Sequence, residues 1–394
     1  MALTTAMLGD ALDAAVASAR SMPADDALQP KEGETREERE ARNKRLVGAR
    51  LAANSSVNLL TPVLLNACRK ASENKPLTDL ETDLVDLARL AAPTPDDIAG
   101  YGQAFAGLAA DQSAALFPED TAGLGADSSY SYADGARDLP KYWDRISALP
   151  NVIKPGARLD EGSLPSAEDI QRLGWSRPLP TEDAEDLPGG LLGFIHSAVV
   201  ELVKAKCHSD TVGEWGDDEV YFIIHTSNKK RGSTSTTQTV EHFKDGVTQN
   251  YNYRQFVAHN VGKKEYPPPP ETGPVIGIIE GWEEDYGKSK VMEEIKKKAN
   301  EISEKLIEGI KDPTKKKGQL QAAAGVILAI VSLFIEAWCD DFIALNSFEL
   351  DDSSFKNKEE LAVMLVRKND YGHETLEWGK YEAFLQAHYD KREM

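Results

Sequence analysis

Apolar positions change their period twice along the chain. Near the start, Leu8, Leu12, Ala15 and Val16 recur at helical spacing before Pro23. After a polar break at 30–38, residues 37–73 are rich in Arg, Ala and Leu but contain Pro62. A proline ring removes a helical hydrogen bond and crowds the preceding turn, so a kink or two separate helices is expected there. Leu77, Leu80, Leu84, Leu87 and Leu90 follow at spacings of three and four. Thr78 with Glu81 three residues later forms a capping-box pattern at the start of that stripe. Thr94 as N-cap and Pro95 at the first position open a further helix to about Leu116. Residues 1–118 thus read as a helical domain, and several helices with one apolar stripe each pack naturally as a bundle.

Residues 119–188 lose this period and are rich in Pro, Gly, Ser and Asp. The aromatic clusters Tyr142-Trp143 and Leu173-Gly174-Trp175 argue for an ordered, extended connector rather than a free linker. From 189 the pattern turns to a period of two. Val200 and Leu202 flank Glu201, and then Val203, Ala205 and Cys207 alternate with Lys204 and Lys206. The phase slips by one residue at Val203, which predicts a bulge in a half-buried strand. Further strands are expected at 218–226, 234–243, 251–257, 275–283, 341–350, 361–368 and 374–388, with turn chemistry at 228–232 and Asp245-Gly246. Such a series of short strands predicts a β-sandwich over 189–394. The fold class read from the chain is α+β: an N-terminal helical bundle, then an antiparallel β-sandwich with an inserted α-helical hairpin.

That hairpin spans 289–338. Its first half, 289–310, is amphipathic: Val291, Met292, Ile295, Ala299, Ile302, Leu306 and Ile310 make one stripe, with Lys and Glu opposite. The turn is Lys315-Lys316-Lys317-Gly318. Its second half runs apolar from Leu320 to Ile335 through Val326, Ile330 and Phe334, and ends at Trp338. A helix apolar all round is either buried in a core or membrane-seeking. The expected role is a helix covered by its partner on one side and by the sandwich on the other. The competing reading is a membrane-active, toxin-like protein that releases the hairpin into a bilayer. A permanent span fits poorly, because the strands on either side would have to pair across a membrane.

Composition narrows the function classes. Acidic residues number 65 against 45 basic, a net charge of −20, which removes the basic footprint that nucleic-acid binding needs. The three cysteines, Cys68, Cys207 and Cys339, lie far apart without a CxxC, so buried free thiols are expected, with one bridge between Cys207 and Cys339 left open. Asp10 and Asp13 stand where an export signal would be apolar, so the expected location is cytoplasmic, or outside the cell by a route without a cleavable signal peptide. The pattern sets no oligomeric state.

Candidate chemistry is sparse. Asp217, Asp218 and Glu219 precede one strand, and Asp340 and Asp341 precede another. Carboxylates on neighbouring loops are the ligands that calcium takes, yet the D-x-D-x-D-G loop is absent; solvated charges guarding strand edges explain the same residues. The histidines lack HExxH spacing, although His208, His225 and His242 fall in successive strand regions and could meet. A metal-dependent hydrolase built on these acids and histidines is therefore one alternative. No GxSxG elbow or phosphate-loop glycine spacing occurs. The tip Lys229-Lys230-Arg231 with its hydroxyl-rich sequel could meet an anionic surface or a glycan, or simply be a solvated turn.

The run 203–222, with its acidic loop leading into Asp218-Glu219-Val220-Tyr221, resembles the strand–loop–strand opening of uncharacterised bacterial β-sandwich modules. The helical pair ahead of Asp340-Asp341-Phe342 is similar to the same modules, so the resemblance covers about 195–390. It implies the fold and transfers no catalytic residue. The function that emerges is a non-catalytic binding or effector-type protein that recognises a protein, glycan or membrane surface.

Overall fold

The computed structural model describes residues 4–21, 35–92, 94–153, 165–166, 169–170, 177–178, 194–211, 219–227, 232–262, 275–283, 294–295, 298–299, 301–302, 305–306, 341–368, 374–375 and 378–393. The chain divides into two units. The first takes Met1–Asn151, Glu168–Trp175 and Lys288–Asp340, and the second takes Val152–Ala167, Ser176–Gly287 and Asp341–Met394.

The first unit is helical: α1 Thr5–Arg20, α2 Arg36–Ala53, α3 Leu60–Ser72, α4 Asp79–Ala91, α5 Pro95–Ala106 and α6 Ala110–Leu116. The stripe Leu8, Leu12, Ala15 and Val16 is buried, as are Leu80, Leu84 and Leu87. Pro62 falls in the first turn of α3, where its missing N–H costs no helical hydrogen bond, so the chain makes two helices around it. The capping boxes at Thr35 and Thr78 both form. The helix opened by Thr94 and Pro95 stops at Ala106, and α6 starts afresh at Ala110. Small residues set the helix crossings. A Cβ on Gly102 in α5 would lie 2.3 Å from Arg69 Cα in α3, and one on Gly48 in α2 would lie 2.6 Å from Ala14 Cβ in α1.

Residues 119–147 form short helices instead of the extended connection expected there: α7 Glu119–Ala122, α8 Tyr132–Asp138 and α9 Trp143–Ser147. Ser131 and Asp134 close a capping box on α8 that single-residue composition hides. Leu139, Tyr142 and Ile146 are buried.

The second unit holds two four-stranded sheets, antiparallel throughout. Its strands are β1 Val152–Ile153, β2 Arg177–Pro178, β3 Phe194–Thr211, β4 Val220–Ser227, β5 Gly232–Thr236, β6 Thr248–Gly262, β7 Val275–Glu283, β8 Asp341–Leu350, β9 Glu360–Leu365, β10 Arg367–Lys368, β11 Glu374–Thr375 and β12 Trp378–Glu393. One sheet runs β6-β3-β12-β9 and the other β5-β4-β7-β8. The slip foreseen at Val203 is real: the β3–β6 register shifts between Leu202 and Lys204. Asp245-Gly246 makes its turn with Gly246 at φ +79°, a left-handed conformation that favours glycine. A short helix α10, Asp352–Asn357, joins β8 to β9 and is capped by Asp351.

Buried side chains of both sheets form one core, including Val200, Leu202, Phe222, Ile224, Ile279, Ile343, Leu365 and Tyr381. The adjacent edges β8 and β9 are stitched by Asn346 Nδ2, which donates to Met364 O at 2.8 Å. Arg367 adds donations to the Ile343 and Phe342 carbonyls, so these backbone acceptors are not left open at the edge. Cys68 and Cys207 are buried, while Cys339, the other member of the possible bridge, lies outside the described residues.

The described residues of the amphipathic hairpin helix belong with the helical unit. Ile295, Ala299, Ile302 and Leu306 are buried there. Lys298 and Lys305 both reach Asp83 of α4. The predicted second helix, with Val326, Ile330, Phe334 and Trp338, lies outside the described residues.

Candidate functional site

Period-two patterning gives the β6-β3-β12-β9 sheet one face in the core and one outward. Ala205 and Cys207 of β3 and Tyr381, Ala383 and Leu385 of β12 point into the core. Lys204, Lys206 and His208 alternate with the β3 residues, and Glu382, Phe384 and Gln386 alternate with those of β12. These outward residues are half-buried, as a sheet face open on one side should be. Near its middle, Lys204 Nζ stands 4.2 Å from the centroid of the Phe384 ring and 3.3 Å from Glu360 Oε1. His208 Nε2 lies 2.8 Å from Glu382 Oε2. A half-buried phenyl ring with a cation over it and flanking carboxylates offers stacking, charge and hydrogen bonding on one rigid surface.

The inner strands β4 and β7 of the other sheet are buried on both faces. Phe222, Ile224 and Ile279 face the shared core, whereas Ile223, His225, Ile278, Glu280 and Trp282 lie on the other side and are buried too. Here Glu280 accepts a hydrogen bond from Trp282 Nε1 at 3.0 Å, and its other oxygen lies 3.4 Å from His225 Nε2. His225 is only 3% exposed and Glu280 is fully covered, and the hydrogen bond from Trp282 satisfies the indole N–H in this buried setting.

The acidic residues singled out in the sequence approach one end of this sheet. Glu283 at the end of β7 pairs with Val220, next to Glu219, and with Asp341 on β8. Backbone register thus places Glu219 and Asp341 on either side of Glu283. Asp217, Asp218 and Asp340 lie outside the described residues. Among the described residues, no group of three His, Cys, Asp or Glu side chains could hold a metal ion. The histidines go separate ways: His208 pairs with Glu382 in one sheet and His225 with Glu280 in the other, while His242 is exposed in a left-handed turn at φ +60°.

Sequence reasoning missed the polar centre of the helical unit. Asp83 Oδ1 accepts from Lys298 Nζ at 2.8 Å, and Oδ2 accepts from Lys305 Nζ at 2.6 Å and from Tyr132 Oη at 2.5 Å. Burial opposes the charge on Asp83, but these three donors outweigh it and hold the carboxyl at about 2. Deeper in, Lys70 and Glu81 form an ion pair at 2.7 Å with side chains 2% and 1% exposed. The signal for Asp83 was present, since its partners are lysines on the polar flank of the stripe at 295–306, but nothing in a linear pattern pairs positions 83 and 298.

A cleft of about 450 Å³ opens where α3 and α4 end and α5 begins, lined by Ala71, Ala92, Pro95, Ile98 and Arg89. Its one charged lining residue, Arg89, is paired with Asp86 at 2.8 Å. No described helix is long and apolar enough to cross a membrane.

No family model matches the chain, and no curated protein does. Among solved structures the chain is similar to the C2A domain of plant extended synaptotagmin 1, at 12% identity and a TM-score of 0.24, over 51% of this chain and 96% of that one. It is also similar to human GIVD cytosolic phospholipase A2, at 10% identity and a TM-score of 0.25, over 51% of this chain and 17% of the phospholipase chain.

Proposed function

We propose that the second unit is a β-sandwich acting as a non-catalytic recognition module, which binds a protein, glycan or membrane-surface partner through the open face of β6-β3-β12-β9. One observation carries the reading: the Lys204–Phe384–Glu360 group on that half-exposed face. Aromatic and cationic side chains held on paired strands lose little entropy on binding, which is how a rigid sheet serves recognition. The titratable groups support it from the other side. His208 and His225 each have their own carboxylate, in different sheets. Calcium would belong at the sheet end bearing Glu219 and Asp341, with Asp217, Asp218 and Asp340 next to them in sequence, as an accessory to surface binding.

The test is binding of the full chain to a glycan array, to phosphatidylserine and phosphatidylcholine vesicles, and to candidate proteins, with and without calcium. One class should bind saturably, and Phe384→Ala should weaken it at least tenfold while thermal melting stays within a few degrees. If Phe384→Ala and Lys204→Glu leave every binding signal intact, or if a single His or Asp substitution abolishes turnover of a substrate, the reading fails.

A further inference from the structure

The cleft in the helical unit lies where three helix ends meet. α3 finishes at Ser72, α4 finishes at Ala91, and α5 starts at Pro95 under the Thr94 cap. Small side chains leave it empty: Ala71 from α3, Ala92 at the C-cap of α4 and Ala99 from α5, with Pro95 and Ile98 completing an apolar wall. Its 450 Å³ falls within the ordinary range of small-molecule sites, about 300–1,000 Å³.

The polar lining is Ser72, Thr94 and Arg89. Both hydroxyls already donate inside the protein, Ser72 Oγ to the Arg69 carbonyl at 2.7 Å and Thr94 Oγ1 to Asp97 Oδ2 at 2.6 Å. Arg89 keeps donors to spare. Its Nη1 donates to Asp86 at 2.8 Å, and among the described residues its other N–H groups have no partner. The pair with Asp86 is exposed, the two side chains being 60% and 45% accessible, and such pairs are weak enough to yield to a ligand carboxylate. One turn down α3 from the lining, burial pushes the Cys68 thiol up and the Arg89 charge works against it, so the guanidinium lies close to this end of α3.

A planar fork of donors at the mouth of an apolar hollow suits a carboxylate with an apolar body. The neighbouring acids limit the ligand's charge. Asp96 and Asp97 follow the lining Pro95 in the first turn of α5, and Asp86 already sits on Arg89. These carboxylates repel a second negative charge, so a monoanion fits where a dianionic phosphate does not.

We infer that the α3–α4–α5 cleft is a binding site for a small amphipathic monocarboxylate of the medium-chain fatty-acid class. Its apolar body rests on Ala71, Ala92, Pro95 and Ile98, and its carboxylate takes the open N–H groups of Arg89. The site belongs to the helical unit and does not depend on the recognition face proposed for the second unit.

The experiment is isothermal titration calorimetry of the full chain with octanoate, octyl phosphate and octanol. The wild type should bind octanoate saturably and the other two about tenfold more weakly, the size of a lost hydrogen bond to a charged group. Arg89→Gln should weaken octanoate by about the same factor and leave octanol unchanged. Ala71→Leu should fill the hollow and weaken octanoate and octanol alike; if far-UV circular dichroism shows that this variant loses helix, Ala92→Leu replaces it, with the same direction expected. The inference is overturned by a wild type that does not bind octanoate saturably, by octyl phosphate or octanol bound as tightly as octanoate, or by octanoate binding that survives Arg89→Gln or the filled cleft.

Discussion

Consider the Lys70–Glu81 pair cut apart one charge at a time. Lys70 Nζ donates to Glu81 Oε2 at 2.7 Å and to the Ser128 carbonyl at 3.0 Å. Glu81 also accepts from Thr78 N at 2.8 Å, closing the α4 capping box, and from Tyr130 N at 3.2 Å. Both side chains are almost fully covered, so neither charge can fall back on water. Glu81→Gln keeps a carbonyl oxygen for one of the two backbone donors but leaves the ammonium with the Ser128 carbonyl alone, which should cost about 3–5 kcal/mol. Lys70→Met leaves a buried carboxylate with two backbone donors, at about 3 kcal/mol. The double variant removes both charges and keeps the volume nearly constant. It should cost only about 1–2 kcal/mol, less than either single change, because the attraction within such a pair largely offsets its own desolvation. The assay is urea unfolding followed by far-UV circular dichroism on all four proteins, closed as a double-mutant cycle. Additive losses, or single variants that each lose under about 1 kcal/mol, would refute the view that this pair is a buried, mutually dependent unit.

Two further outcomes follow from other contacts. Asp83 has a folded pKa of about 2 against an ordinary 3.8, so its contribution is complete above pH 4 and is lost as the pH falls from 4 towards 2. That contribution is on the order of 2 kcal/mol; Asp83→Asn should lose correspondingly less stability over the same range in acid titration monitored by circular dichroism, and identical acid profiles would contradict it. Gly102→Ala would place its Cβ 2.3 Å from Arg69 Cα and 2.4 Å from Arg69 N, backbone atoms that cannot step aside. The α3–α5 crossing should open at a cost of about 3 kcal/mol, read as a lowered urea midpoint, and an unchanged midpoint would show that the crossing tolerates a methyl.

Much of the local structure could be read from the chain because it depends on neighbours in sequence. Thr78 and Glu81 announce a helix start since the capping box closes within one turn. The bulge at Val203 is a phase slip visible in the alternation itself. The bounds of β7 and β8 coincide with the apolar runs. By contrast, 220–224 shows no alternation because this strand is buried on both faces, so the pattern gives a strand but not which residues meet the core. The short helices at 119–147 were hidden by Pro- and Gly-rich composition, although Ser131 and Asp134 carried a cap signal.

Sequence alone determined that this chain is an acidic α+β protein, with helices first, antiparallel strands after, and an amphipathic helix between two strands. Those features follow from residue spacing and local hydrogen bonding, which act over a few positions. Tertiary structure decided where that helix goes and what meets what. Asp83 gathers Lys298 and Lys305 from more than two hundred residues away, His208 and His225 go to different sheets, and Lys204, Phe384 and Glu360 come together on an open face. The physical reason is that strand register and helix packing, rather than any linear motif, fix which side chains share a surface.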